Sequence, residues 1–219
     1  MTWWENFVLG INQLIDFMMG RQDQIIDLTL QHFWLVLVAM IFAIVIGVVI
    51  GILITYWDPI AYPVINVTQI IMTVPSIAMI AILIPFFGIG FSNGVAALTL
   101  YALLPIVRNT YTGIRVIDRA VIESAIGMGM SEFGILRKIK LPLALPIIMA
   151  GVRTSTVMGI GIGAIAAYIG AGGLGSFIFW GISRVNYPMI WTGAIFISIL
   201  AVLADYLLGW WEKRMAMRS

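Results

Sequence analysis

The sequence predicts an all-α membrane protein with about five transmembrane helices and an N-terminal amphipathic helix. Of 219 residues, 62% are hydrophobic and 10% charged, where a soluble domain carries roughly 25% charged residues. Uncharged runs of 30, 49, 30 and 20 residues occupy Leu28–Trp57, Pro59–Val107, Thr154–Ser183 and Val185–Ala204, and a bilayer-spanning helix needs about 20 apolar residues. The runs are continuously apolar rather than alternating, which selects helices over a β-barrel. The absence of cysteine excludes disulfides, thiolate metal sites and thiol nucleophiles. No basic segment precedes an apolar stretch at the N-terminus, so no secretory signal peptide is expected. Two parts follow: residues 1–27 as an external amphipathic helix and link, and residues 28–219 as the membrane domain, with a cytoplasmic loop at about 114–142.

The elements follow in order. Over residues 3–19, Trp4, Phe7, Val8, Ile11, Leu14, Ile15 and Met18 recur at helical spacing, opposite Glu5, Asn6, Asn12, Gln13 and Asp16. This segment is too polar to span and is expected in the interface. Its lack of Lys and Arg suits an external surface better than an anionic cytoplasmic leaflet. A polar link, Gly20 to Asp27, leads to a first span from about Thr29 to Tyr56, with Trp34 and Trp57 as interfacial anchors. Gly47 and Gly51, four residues apart, give that span a close-packing face. The second span runs from about Tyr62 to Pro85 and is expected to kink at Pro75. The third covers about Gly94 to Gly113, with Pro105 inside it. The fourth covers about Leu145 to Tyr168, and the fifth about Ile190 to Gly209. Residues 176–189 read as a short surface or re-entrant helix.

Charge orients the chain. The middle loop and C-terminus hold Arg115, Arg119, Arg137, Lys138, Lys140, Lys213, Arg214 and Arg218; the other side holds only Arg21 and Arg184. The positive-inside rule then puts the N-terminus outside and the C-terminus in the cytoplasm of a multi-pass cell-membrane protein.

The middle loop is the one long polar stretch. Ile117 to Met128 is compatible with a helix, and a Gly-Met-Gly break follows. Ser131 is placed to cap a second helix with Glu132 in its first turn. Met128, Met130 and Phe133 leave apolar groups around the turn. Small residues at Ser124 and Ala125 allow close entry into a cleft, Gly127 and Gly129 let the backbone turn, and Glu123 offers a carboxylate to a cation on a partner. These features describe either a solvated hairpin or a docking element for a soluble protein.

Glu123-Ser124-Ala125, three residues, Gly129, nine residues, then Ile139-Lys140-Leu141-Pro142 resembles the "EAA loop" of permease subunits of binding-protein-dependent ABC importers. Ser124 for the middle alanine is the sole departure. The stretches Met72-Thr73-Val74-Pro75-Ser76, Phe87-Gly88-Ile89-Gly90, Leu104 to Gly113 and Gly170 to Gly175 are similar to the permeases of osmoprotectant importers, over roughly residues 30–210. The resemblance implies the type I importer permease fold, methionine-permease-like, carrying compatible solutes such as glycine betaine, carnitine or choline. It implies a coupling helix from Glu123 to Gly129 seated on a cytoplasmic ABC ATPase, which would bind the ATP and Mg. A second permease chain, the same or paralogous, and an extracytoplasmic substrate-binding protein complete the expected partners, with the lipid bilayer; nucleic acid is not among them. No cofactor is expected in this chain, which lacks a Walker-type Lys-Ser/Thr, and the chain is expected not to be an enzyme. An importer for another small solute such as an amino acid, and an ATP-independent secondary transporter, are the alternatives.

Other residues are candidates for the pathway or an external gate. Arg153 either lines the pathway or pairs with a neighbouring helix, or else snorkels to the cytoplasmic face; Arg108 is expected to snorkel. Gly151, Ser155, Gly159, Gly163 and Ala167 form a small-residue stripe suited to helix–helix contact, with pore lining as the alternative. Gly172 and Gly173 lie in a glycine-rich segment that is either a flexing gate or a plain loop. His32, beside Trp34, is expected at the outer interface. Asp205 is expected to reach water or a cation near the cytoplasmic end of its helix.

Overall fold

The computed structural model describes residues 3–217, apart from the side chain of Asn6; Arg218, counted above among the basic residues, lies outside them. Among the described residues there are ten α-helices: α1 (Trp3–Met19), α2 (Gln22–Leu53), α3 (Asp58–Thr73), α4 (Ser76–Phe87), α5 (Phe91–Arg115), α6 (Arg119–Gly127), α7 (Glu132–Ile135), α8 (Leu141–Ala166), α9 (Gly175–Ser183) and α10 (Tyr187–Ala216). Four helical runs are long and apolar enough to cross a membrane: α2, α5, the run Glu132–Ile169 that contains α8, and α10. The pair α3 and α4, bent by 103° at its break, passes the same test only when taken together, as a broken span or a re-entrant loop, and counts as a fifth in the first case.

Helix boundaries differ from the sequence reading by several residues, α10 for instance reaching Ala216, and three of the differences have a local cause. The polar link shrinks to Gly20–Arg21, because Gln22 to Asp27 continue helically into α2, with Asp27 accepting from Gln31 one turn on (3.0 Å). The second span does not kink at Pro75 but breaks there: Val74 and Pro75 are both extended, with ψ of 130° and 136°. Proline disfavours helical backbone at the residue before it and donates no hydrogen bond, so two consecutive residues leave the helix. The fourth span begins well before Leu145. A π-helical turn, Leu136–Lys140, joins α7 to α8. Pro142 cannot donate to the Lys138 carbonyl, and the Leu141 amide instead bonds five residues back to Leu136. The helix widens rather than stops.

The chain divides into two compact units. One comprises the described residues of Met1–Ala39, with Pro75–Leu98 and Met158–Leu203. Its core holds Leu35, Leu98, Leu174, Phe177 and Met189. Phe17 of α1 meets Phe177 edge-on, but most of α1, from Trp3 and Trp4 onward, leaves its apolar side chains exposed. Asn93 donates to the carbonyls of Ile80 and Gly88 and so fastens α5 to the end of α4 (3.2 and 2.8 Å).

The other unit comprises Met40–Val74, Thr99–Val157 and the described residues of Ala204–Ser219. One of its cores gathers Ile54, Ala61, Ile65, Leu103, Leu104 and Val107; another gathers Ile114, Ala144 and Ile148. The Gly47/Gly51 face of α2 does what its spacing implies. A Cβ on Gly47 would come within 2.8 Å of Ile106, and one on Gly51 within 2.5 Å of Thr110, so only glycine admits α5 this closely. Asp58 at the start of α3 pairs with Arg115 at the end of α5 (3.1 Å), and the Tyr101 hydroxyl donates to the Val74 carbonyl at the α3 break.

Candidate functional site

The EAA-like loop folds as a helical hairpin capped at each turn. Asp118 caps α6 by accepting from the Ala120 amide (2.9 Å). Ser131 caps α7 as expected, accepting from the Gly134 amide (3.2 Å), with Glu132 in the first turn. Between them, the Gly129 amide donates to Ile126 (2.9 Å) and the Met130 amide to Ala125 (3.1 Å). This pair of bonds is a Schellman ending, and it needs a left-handed residue at its penultimate position. Gly129 fills that position with φ of +78°.

The hairpin sorts its residues by role. Ala125 is fully buried and Ile135 nearly so, while Ile126 (59% exposed), Met128 (74%) and Phe133 (69%) project around the turn. Glu123 and Ser124 are exposed; Glu123 lies 3.5 Å from Arg119 one turn back, and the Ser124 hydroxyl donates to the Ala120 carbonyl. Gly127 is exposed with open space beside it. At the far end of the motif Leu141 packs on the Ile114, Ala144 and Ile148 core, Ile139 is half-buried and Pro142 exposed. An exposed ion pair of the Glu123–Arg119 kind is worth at most about 1 kcal/mol. Glu123→Gln is therefore expected to leave membrane level and thermal melting unchanged. The same variant is expected to weaken recovery of a cytoplasmic partner in pull-down, and unchanged recovery would remove the carboxylate from the contact.

Arg153 pairs with a neighbouring helix. Its Nε and Nη2 donate to the two carboxylate oxygens of Asp205 (2.6 and 2.8 Å), and Nη1 donates to Glu212 (3.2 Å). Asp205, Gly209 and Glu212 share one face of α10 at helical spacing. The guanidinium lies over Gly209, where a Cβ would sit 2.8 Å from Cζ. Asp205 thus reaches a cation, as anticipated. The spacing Asp-x-x-x-Gly-x-x-Glu is the signal that could have disclosed Glu212, which the sequence reading missed.

Gly159, Gly163, Gly172 and Gly173 fall in the first unit and lie along α2, beside Val36, His32, Gln31 and His32 in turn. Contrary to the interfacial expectation, His32 is fully buried, with Nε2 3.0 Å from the Ile160 carbonyl. Its ring fits because Gly163 and Gly173 lack side chains: a Cβ on either would lie within 3.2 Å of it. Gly172 and Gly173 both have positive φ, and the Gly173 amide donates to Gln31 (3.2 Å), so this glycine pair is tied to α2. Gly159 is buried beside Val36. The small-residue stripe makes helix contacts inside the chain: Gly151 abuts Pro105 and Asn109, and the Ser155 hydroxyl donates to the Ala102 carbonyl (2.9 Å). Arg108 stays exposed and donates to Gln69 of α3 (3.4 Å).

Solved structures share this architecture. An inward-facing MetNI methionine ABC transporter chain matches with a TM-score of 0.79 at 23% identity, over 87% of this chain and 95% of that one. A chain from the crystal structure of an amino acid ABC transporter with histidines matches with a TM-score of 0.72 at 20% identity, over 90% and 96%. The fold is that of an ABC-importer permease. The family described as binding-protein-dependent transport system inner membrane component matches residues 47–217, and the chain belongs to it. Similar proteins include the carnitine transport permease protein OpuCD of Listeria monocytogenes, 42% identical over 93% of this chain and 92% of that protein. The choline transport system permease protein OpuBD of Bacillus subtilis is 42% identical over 94% and 92%. The osmoprotectant import permease protein OsmW of Salmonella typhimurium is 43% identical over 89% and 93%.

Proposed function

We propose that this chain is the permease of an ATP-driven importer for compatible solutes such as glycine betaine, carnitine or choline, and that its α6–α7 hairpin is the coupling element. The relatives named for carnitine, choline and osmoprotectants, at 42–43% identity, support the solute class over an amino acid. The observation that carries the coupling role is the apolar cap of Ile126, Met128 and Phe133 at the hairpin tip. Three exposed apolar side chains around a rigid, doubly capped turn make a knob for a hydrophobic cleft, with Arg119 and Glu123 as a polar rim. The knob faces the cytoplasm and enters a groove on an ABC ATPase, which holds ATP and Mg; this chain does no hydrolysis and needs no cofactor. Two permease chains enclose the pathway, and a binding protein delivers solute at the external side, where Gly172–Gly173 and α1 lie. ATPase closure moves the hairpins and alternates access. A proton-coupled carrier built on Asp205 is disfavoured, because that carboxylate is already held at both oxygens by two of the three guanidinium nitrogens of Arg153.

Purification from native membranes in mild detergent, with mass spectrometry of the intact assembly, is expected to recover two ATPase subunits per complex. Uptake in reconstituted vesicles is expected to require ATP and to survive a protonophore. Uptake that persists without ATP, from a chain that purifies alone, would overturn this reading.

A further inference from the structure

We propose that one face of α3, with Arg108 of α5 beside it, lines a water-filled route for a small solute bearing a carboxylate; this rests on the permease reading above and assigns residues to its pathway. Successive residues of a helix are about 100° apart, and α3 resolves into three chemically distinct faces. Ala61, Ile65 and Thr68 are buried and pack on the core. Pro63, Val67 and Ile70 are exposed and apolar, as a helix presents to lipid. Tyr62, Asn66, Gln69 and Thr73, at spacings of four, three and four, are exposed and polar.

A helix surrounded by hydrocarbon would have no reason to segregate its exposed residues this way. Polar side chains within membrane spans face protein or a water-filled cavity, so two exposed faces of opposite polarity mean two different surroundings. The helix break by itself makes no demand for water, because the Tyr101 hydroxyl meets the Val74 carbonyl and the Met79 amide meets the Pro75 carbonyl. It ends the polar face at extended backbone directly after Thr73, and broken helices mark solute sites in transporters. The Arg108 guanidinium, exposed and 3.4 Å from Gln69, puts a cation on this face. It suits the carboxylate of a zwitterion and disfavours a solute that is only cationic.

The chain has no cysteine, so single cysteines report cleanly. Each of Asn66, Gln69, Thr73, Val67 and Ile70 is replaced by cysteine in the full chain, in its native membrane, and treated with a charged methanethiosulfonate. Thiolates, the reactive form, need water, so labelling at 66, 69 and 73 is expected at least about tenfold faster than at 67 and 70. Equal rates on the two faces would overturn the proposal. Oxidative cross-linking between two copies at the polar positions, without labelling, would overturn it in favour of a chain–chain interface. This readout needs neither ATP nor a partner, so it stands or falls separately from the importer reading. In reconstituted complexes, Arg108→Gln is expected to lower the ratio of carnitine to choline uptake by about tenfold, the scale of one charged hydrogen bond; equal loss of both would overturn the carboxylate assignment.

Discussion

Gly129→Asp is expected to abolish uptake while the protein reaches the membrane at its normal level. The reason lies in what the structure does and does not put beside Gly129. A Cβ there meets nothing within 4 Å, so no clash inside this chain can account for a loss. The backbone is left-handed, at φ +78°, a conformation that costs ordinary residues roughly 1–2 kcal/mol and that Asn and Asp accept more readily. The hairpin with Asp at this position therefore keeps its turn, and what changes is the surface the turn presents: a carboxylate set between Met128 and Met130, on a knob otherwise built of apolar groups. Burying that charge in a partner's cleft costs far more than the conformational term. Comparison with Gly129→Asn and Gly129→Val separates the two effects. Asn keeps the turn and adds no charge, so partial uptake is expected; Val strains the left-handed residue and is expected to reduce thermal stability as well. Normal transport by the Asp variant would mean that the tip of the hairpin touches nothing during the cycle.

The loop was legible from the sequence because its signals are local. The Ser131 cap, the Gly129 turn and the acidic first turn of α7 depend on residues a few positions apart, and so does the Gly47/Gly51 contact face. His32 was misread because sequence adjacency to Trp34 was given more weight than helical phase. His32 shares its face with Leu28, Leu35, Val36 and Ala39, all buried, whereas Trp34 lies about 200° round the helix. Pro75 was read correctly as a disturbance but too mildly, since the extended backbone of Val74 adds to that of the proline. The π turn at Leu136–Lys140 was not legible, because a proline near a helix start ordinarily marks the start itself. Its consequence is functional. The hairpin's second helix runs without interruption into α8, so under the proposed coupling role a displacement of the hairpin tip would be carried into a long apolar helix with no flexible link between them.

Arg153 lies on that same continuous helix, and its replacement is expected to have the second large effect. Arg153→Leu removes the ion-pair partner of both Asp205 and Glu212, and leaves two carboxylates on one face of α10, at 205 and 212, with no cation between them among the described residues. The three side chains keep 34, 46 and 28% of their surface exposed, so water takes up part of the orphaned charge and the level of folded protein in the membrane is expected to fall several-fold rather than to vanish. A fully neutral version distinguishes packing from chemistry. Arg153→Met combined with Asp205→Asn and Glu212→Gln keeps the volumes and removes every charge together, and such replacements are often tolerated. If the network serves to hold α8 against α10, the triple variant is expected to recover both membrane level and ATP-dependent uptake. If Asp205 instead carried protons, Asp205→Asn alone would fold normally, because Arg153 keeps Glu212, and would lose uptake completely. Measuring level and uptake side by side in the three variants therefore decides between a mechanical and a chemical role for the charge network that joins α8 to α10.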